Sequence, residues 1–247
     1  MGLIQSLFTN PVFFLQYTLF RVPALLIALC CHEWAHAWVA NRCGDPTARI
    51  LGRMTLNPLR HLDPIGTLLM FTAGFGWAKG VPVNPDNYRN RRWDDLKVSL
   101  AGITVNFMLF LFFMAIAVAI NRFVWTPWLL TQATPQDLLS FNDGLYNWFL
   151  YAPDSITPFI HAPWLLGLLY FIMLTAQINL ALAIFNLFPF PPLDGFHVAN
   201  DILLGGRLRL NSQAVRVGMM VLLFISFSTD IISNIMLFFM RNIQGAL

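Results

Sequence analysis

Charge is what this sequence lacks most. Of its 247 residues only 11% are Asp, Glu, Lys or Arg, while 57% are hydrophobic. A water-soluble domain carries about a quarter charged residues, so too few charges are present to coat a soluble surface of this size, and lipid is the surrounding that the composition fits. There is no long Lys/Arg run, no Gly-rich phosphate loop and no aromatic–basic surface, which excludes nucleic acid as a partner. Cysteine is also scarce. Cys30, Cys31 and Cys43 do not make a disulfide framework. Cys30 and Cys31 sit in an apolar run and read as small buried residues, and on a helix Cys31 points about 100° away from its neighbour His32, which argues against it as a metal ligand. Met1–Phe20 contains no Lys or Arg and is followed by no small-x-small cleavage site, so it is expected to be retained rather than removed as a signal peptide. Glutamate is nearly absent. Glu33 is the one Glu of the chain, and it lies within an apolar run.

Long apolar runs, by contrast, are abundant. Spans are predicted at about Leu19–Ala40, Leu96–Ile120, Pro163–Leu187 and Ala214–Met240, each long enough for a helix to cross about 30 Å of hydrocarbon. Pro64–Trp77 is too short to cross and carries Gly66, Gly74 and Gly76, so it reads as re-entrant or packed within the membrane. Thr47–Leu56 and Val81–Pro85 carry strand and turn signals and are predicted as short strands or extended ribbon. In the Asn121–Ala162 connection, which holds Asp137, Asp143 and Asp154, Trp125, Trp128 and Trp148 read as interfacial anchors. The expected fold class is an all-α polytopic membrane protein. It has about four full transmembrane helices, one partial or re-entrant segment, and small β or extended elements at the inner membrane face. With no repeat or linker visible, residues 1–247 form a single domain.

Basic residues orient these spans. With the N-terminus outside and Pro64–Trp77 not crossing, Arg42, Arg49, Arg53, Arg60, Lys79, Arg89, Arg91, Arg92, Lys97, Arg207, Arg209 and Arg216 fall inside. Only Arg21, Arg122 and Arg241 fall outside. This asymmetry predicts a multi-pass protein of the cell (plasma or inner) membrane.

The chemistry is concentrated in two places. His32-Glu33-Trp34-Ala35-His36 is an H-E-x-x-H sequence on the first predicted helix. Residues four apart share one helix face, so His32 and His36 can grip one metal ion, and the neighbouring Glu33 can take a proton from an activated water. An ionisable residue within an apolar helix is costly to bury and points to function. Two histidines do not complete a catalytic zinc site, which has three protein ligands and an open position. The best source of the third is Asn186-Leu187-Phe188-Pro189-Phe190-Pro191-Pro192-Leu193-Asp194-Gly195, where three prolines end the preceding helix just before an Asp.

Together, H-E-x-x-H and N-x-x-P-x-P-x-x-D-G resemble the site-2 protease family of intramembrane zinc metalloproteases. Ala101-Gly102-Ile103-Thr104-Val105-Asn106 is similar to that family's Gly-x-x-x-Asn segment. Gly52–Pro58 and Gly76–Pro85 resemble its compact bacterial branch. Two positions depart from the pattern: Ile103 and Gly80 stand where proline is common. The PDZ or CBS modules of some relatives have no room here.

The resemblance implies one zinc ion per chain held by His32, His36 and Asp194, with Glu33 as the base and Asn186 as a polar group near the substrate carbonyl. Its substrate would be a membrane protein with a transmembrane segment, cut in or near that segment on the cytoplasmic side. Asn186 has a second reading, as a cap of the broken helix. Asn106, Gln177 and Asn179 read as interhelical hydrogen-bonding groups. His61 and His197 are candidates for the surroundings of the metal. The rival reading of the whole chain is a metal transporter or metal-sensing membrane protein using the same ligands, which should show further carboxylates or sulfur ligands along a path.

Overall fold

The computed structural model describes residues 8–9, 11–72, 78–132, 158, 160–208, 211, 213–215, 217–218 and 220–221. Seven α-helices lie in them: α1 (Pro11–Cys43), α2 (Thr47–Ile50), α3 (Pro64–Thr72), α4 (Arg91–Val124), α5 (Pro127–Gln132), α6 (Leu166–Asn186) and α7 (Asp194–Leu203). Three of these, α1, α4 and α6, are long and apolar enough to cross a membrane. They match the first three predicted spans. Most of the fourth, Ala214–Met240, lies outside the described residues, as do Asp137, Asp143, Asp154 and Trp148.

The reason for helix is the solvent. In hydrocarbon every backbone N–H and C=O must be satisfied within the segment, which a continuous helix achieves. Helix α4 starts where Asn90 accepts a hydrogen bond from the Trp93 N–H, runs through its charged first turns, and turns apolar from Val98. Its outward positions Met108, Leu111, Phe112 and Val118 are exposed. A stripe of this kind suits lipid tails, not water.

Helix α4 is the central element, packed on α1, α6 and α7. Against α6 it buries Phe110 with Ala176, Leu180 and Ile184. At its C-terminal end Val124 and Trp125 pack on Leu166 and Leu169. Helix α1 approaches α6 through Ala24 and Ala28, both fully buried against Ile178. Small residues allow such close approach, which is how helices associate where lipid supplies no hydrophobic drive.

The connections depart from the predictions in three ways. No β-strand occurs among the described residues, where pairing is limited to two isolated antiparallel bridges, Leu62–Ala78 and Trp125–Ile160. Pro82 and Pro85 remove N–H groups that a ladder needs. Thr47–Leu56 is not extended: Thr47–Ile50 is a helical turn, closed through Gly52 at φ 65°. Asp45 starts it by accepting hydrogen bonds from the N–H and hydroxyl of Thr47. Trp125 is not an interfacial anchor. It is buried, and its indole N–H donates to Asn121 Oδ1 at 2.6 Å, whereas Trp128 is exposed. Of the predicted re-entrant segment, Pro64–Thr72 forms α3, nine residues that span about 14 Å, and residues 73–77 lie outside the described residues. Asp63 caps α3, accepting from the N–H groups of Ile65 and Gly66.

Candidate metal centre and active site

His32 and His36 lie one turn apart near the C-terminal end of α1, with ring centroids 4.6 Å apart. Both rings are buried. After α6 ends at Asn186, the proline loop turns the chain back, and Asp194 opens α7. The Pro191–Pro192 bond is cis. Gly195 lets this turn close tightly: a Cβ there would stand 2.3 Å from the Leu187 carbonyl oxygen and 2.5 Å from that of Phe188. Gly218 plays a similar part, because a Cβ on it would lie 2.6 Å from the Pro191 carbonyl oxygen.

The result is a compact triangle of ligand atoms. Nε2 of His32 and Nε2 of His36 are 3.0 Å apart, and Asp194 Oδ2 lies 3.2 Å from the first and 3.3 Å from the second. Atoms each about 2.0–2.1 Å from a tetrahedral zinc stand about 3.3 Å apart, so the triangle has the size the ion requires. The donor set fits as well. His36 Nδ1 lies 2.7 Å from the Val98 carbonyl oxygen, to which it donates, leaving the Nε2 lone pair for a metal. Asp194 Oδ2 is buried without a well-aligned hydrogen bond, which is the state expected of an oxygen meant for a cation. Among the described residues this is the one group of three His, Cys, Asp or Glu side chains with metal-holding spacing.

Helix α4 forms the back wall. A Cβ at Gly102 would lie 2.5 Å from His32 Cε1 and 2.5 Å from His36 Nε2, so glycine is what allows α4 to press on both rings. Asn106, one turn further, is fully buried, and its amide has no hydrogen-bond partner among the described residues. The interhelical bond expected of it is not made to any described residue. Asn179 bonds the Thr175 carbonyl within its own helix rather than across helices.

Glu33 lines the same cavity of about 560 Å³ as His32, His36, Asn186 and Asp194. Its Oε2 accepts a hydrogen bond of 2.7 Å from the Val81 N–H. That segment is held at two other points. Arg53 donates to the Lys79 and Gly80 carbonyls, and Asp45 accepts from the Asn84 N–H at 2.7 Å and from the Asn87 amide at 2.8 Å. Burial pushes the Asp45 carboxyl up, but the bonds from Thr47, Asn84 and Asn87 outweigh it and hold the group below the usual carboxylate range.

Asn186 reaches the cavity, yet its Nδ2 donates to the Leu182 carbonyl at 3.0 Å, so one amide hydrogen is spent on its own helix. His61 bonds the Thr55 carbonyl through Nε2 and does not line the cavity. His197 does line it, and its Nδ1 lies 3.2 Å from Asp95 Oδ2. That Asp95 bond, working against burial, raises the imidazole above its ordinary value. Sequence reasoning passed over Asp95. The signal was helical spacing: Asp95, Val98, Gly102 and Asn106 form one stripe along α4.

Residues 20–228 match the model of a family described as Peptidase family M50. A relative named "Putative zinc metalloprotease YwhC", from Bacillus subtilis (strain 168), is 36% identical over 214 residues, covering 85% of this chain and 83% of its own length. "Putative zinc metalloprotease Rip2" of Mycolicibacterium smegmatis is 28% identical over 123 residues, 48% of this chain and 46% of that one. The protein of the same name from Mycobacterium tuberculosis is 34% identical over 99 residues, 38% of each chain. No solved structure matches the chain significantly. The extent of the family match, and the identity held across most of the first relative, place the triad on a known scaffold: this chain belongs to Peptidase family M50.

Proposed function

We propose that this zinc metalloprotease is an intramembrane endopeptidase, hydrolysing a peptide bond in or near the transmembrane segment of another membrane protein. His32, His36 and Asp194 hold one zinc ion, and Glu33 is the base. The observation that carries this reading is the convergence of three ligand atoms, all within 4.8 Å of one another, in a cavity that also holds the chain's one Glu.

When bound, zinc supplies a Lewis acid that activates water and polarises a carbonyl. Glu33 accepts the proton from the water and passes it to the leaving amine. The Val81 N–H fixes one carboxylate oxygen and leaves the other for this exchange. Gly102 and the Val98 carbonyl keep the imidazoles in place. A helical substrate hides its carbonyls, so it must unwind before attack. Val81 and Val83 line the cavity, with the Val81 N–H on Glu33 and the Asn84 N–H turned to Asp45, and an unwound substrate adds to this edge as a strand. The basic asymmetry supports a cell-membrane location with the site toward the cytoplasmic side.

The test is co-expression with tagged single-span reporters, comparing wild type with Glu33→Gln. Wild type should cleave a reporter, whereas Glu33→Gln should leave it whole while retaining about one zinc per chain. Cleavage by Glu33→Gln at the wild-type rate would overturn the role of Glu33. Cleavage by neither protein of any reporter would overturn the reading.

A further inference from the structure

The cavity contains a second pair of titratable side chains that the hydrolysis above does not use. His197 lies three residues after Asp194 on α7, so it shares the face that Asp194 presents to the histidines. Its side chain is 43% exposed, and the Nδ1 contact to Asp95 joins α7 to α4 across 102 residues of sequence. Asp95 is itself mostly buried and lines the cavity. With Nδ1 engaged by a carboxylate, Nε2 is the ring's remaining polar atom.

The cavity is short of donors. Among the described residues its titratable lining groups are His32, Glu33, His36, Asp63, Asp95, Asp194 and His197, with no Lys or Arg. Two of the three histidines belong to the metal triangle. Asn186 has spent one amide hydrogen on the Leu182 carbonyl. A carbonyl that gains negative charge during attack needs a fixed hydrogen-bond donor beside it. Apart from Asn186 and the buried Ser99 hydroxyl, His197 is the side-chain donor outside the metal triangle among the described lining residues. Asp95, Asp194 and Asp201 surround it with negative charge, and Arg92 is turned away to the Asp201 and Ile202 carbonyls.

We propose that His197, as an imidazolium whose Nδ1–H donates to Asp95, is a further catalytic residue that donates a hydrogen bond from Nε2–H to the scissile carbonyl oxygen as it becomes anionic, and that Asp95 is the positioning residue that orients the ring. No covalent step is involved. The inference rests on the peptidase reading, so its test uses the single-span reporter that wild type cleaves and Glu33→Gln does not.

The variants are His197→Phe, His197→Gln, Asp95→Asn and the double substitution His197→Phe with Asp95→Asn, purified whole and assayed in detergent micelles for kcat, KM and zinc content. His197→Phe should lower kcat roughly a hundredfold, the effect of removing one oxyanion donor, with KM within about twofold and zinc retained. His197→Gln, whose amide puts an N–H near the Nε2 position, should recover part of the loss. Asp95→Asn should lower kcat less, and the double substitution should be no worse than His197→Phe alone, since Asp95 acts through the ring. An unchanged kcat in His197→Phe overturns the proposal. So does loss of zinc in step with activity, which would make the pair structural support for the metal. A rise in KM at constant kcat overturns it too, because it would mark ground-state binding. All of these outcomes leave the roles of zinc and Glu33 intact.

Discussion

The two ends of the helix bundle are held together by opposite means. At the far end Val124, Trp125, Leu166 and Leu169 interlock as a filled apolar core. At the site end, about 33 Å along α4 from Val124 to Gly102, α4 meets α1 through Val98 on Ala40 and Cys43, but behind the metal ligands the contact is made by the missing side chain of Gly102 against two imidazoles. The first arrangement stabilises by area and tolerates trimming. The second leaves no slack, because the atoms in contact are those that must also meet a metal. The chain thus packs apolar side chains alone at one end and lines a cavity with titratable groups at the other.

The sharpest way to break this contrast is Gly102→Ala. One methyl group, at 2.5 Å from His32 Cε1 and His36 Nε2, forces the rings or the helix to move. Zinc content and cleavage should both be nearly abolished, as metal analysis beside the reporter assay will register. Retention of full zinc and wild-type cleavage would show that α4 does not back the histidines.

A smaller effect is expected where the ligand stays but its support changes. Pro191→Ala with Pro192→Ala should lower the cleavage rate on the order of a hundredfold, since a displacement of about 1 Å has that effect. Zinc affinity should fall less than in Asp194→Ala. Wild-type rates would make these prolines incidental to the placing of Asp194.

At the far end the prediction reverses. Leu169→Ala leaves a hole beside Trp125 and Leu166 and should destabilise by about 2–5 kcal/mol. Thermal unfolding should report the loss, while kcat per folded molecule and zinc content stay put. A change in kcat would mean that the two ends are coupled.

How much of this was legible follows from sequence distance. His32, Glu33 and His36 could be read directly because one helical turn brings them together. Asp194 was legible because Pro189, Pro191 and Pro192 announce the end of α6 before it. The spans at α1, α4 and α6 follow from apolar length. Gly102 was recognisable as part of a pattern, but its reason lies in contact with residues some seventy positions earlier. The Asp95–His197 pair spans 102 residues and has no local signature. Thr47–Leu56 was misread because its β-branched and apolar residues outweighed the helix start hidden in Asp45-Pro46-Thr47. Asn106 was read as an interhelical hydrogen-bonding group from its residue type, and its amide has no partner among the described residues.

The fastening of Val81–Asn84 has a consequence for where a substrate is cut. Glu33 grips one end of this segment and Asp45, just beyond α1, grips the other. The edge proposed to receive the substrate is therefore bolted to the helix that carries the base. A peptide laid along it advances about 3.3 Å per residue, so the bond presented to Glu33 is set by how far the chain has been fed past Val83. On the proposed reading the segment would act as a ruler, measuring a distance from the first paired residue with no need to recognise a particular side chain at the cut.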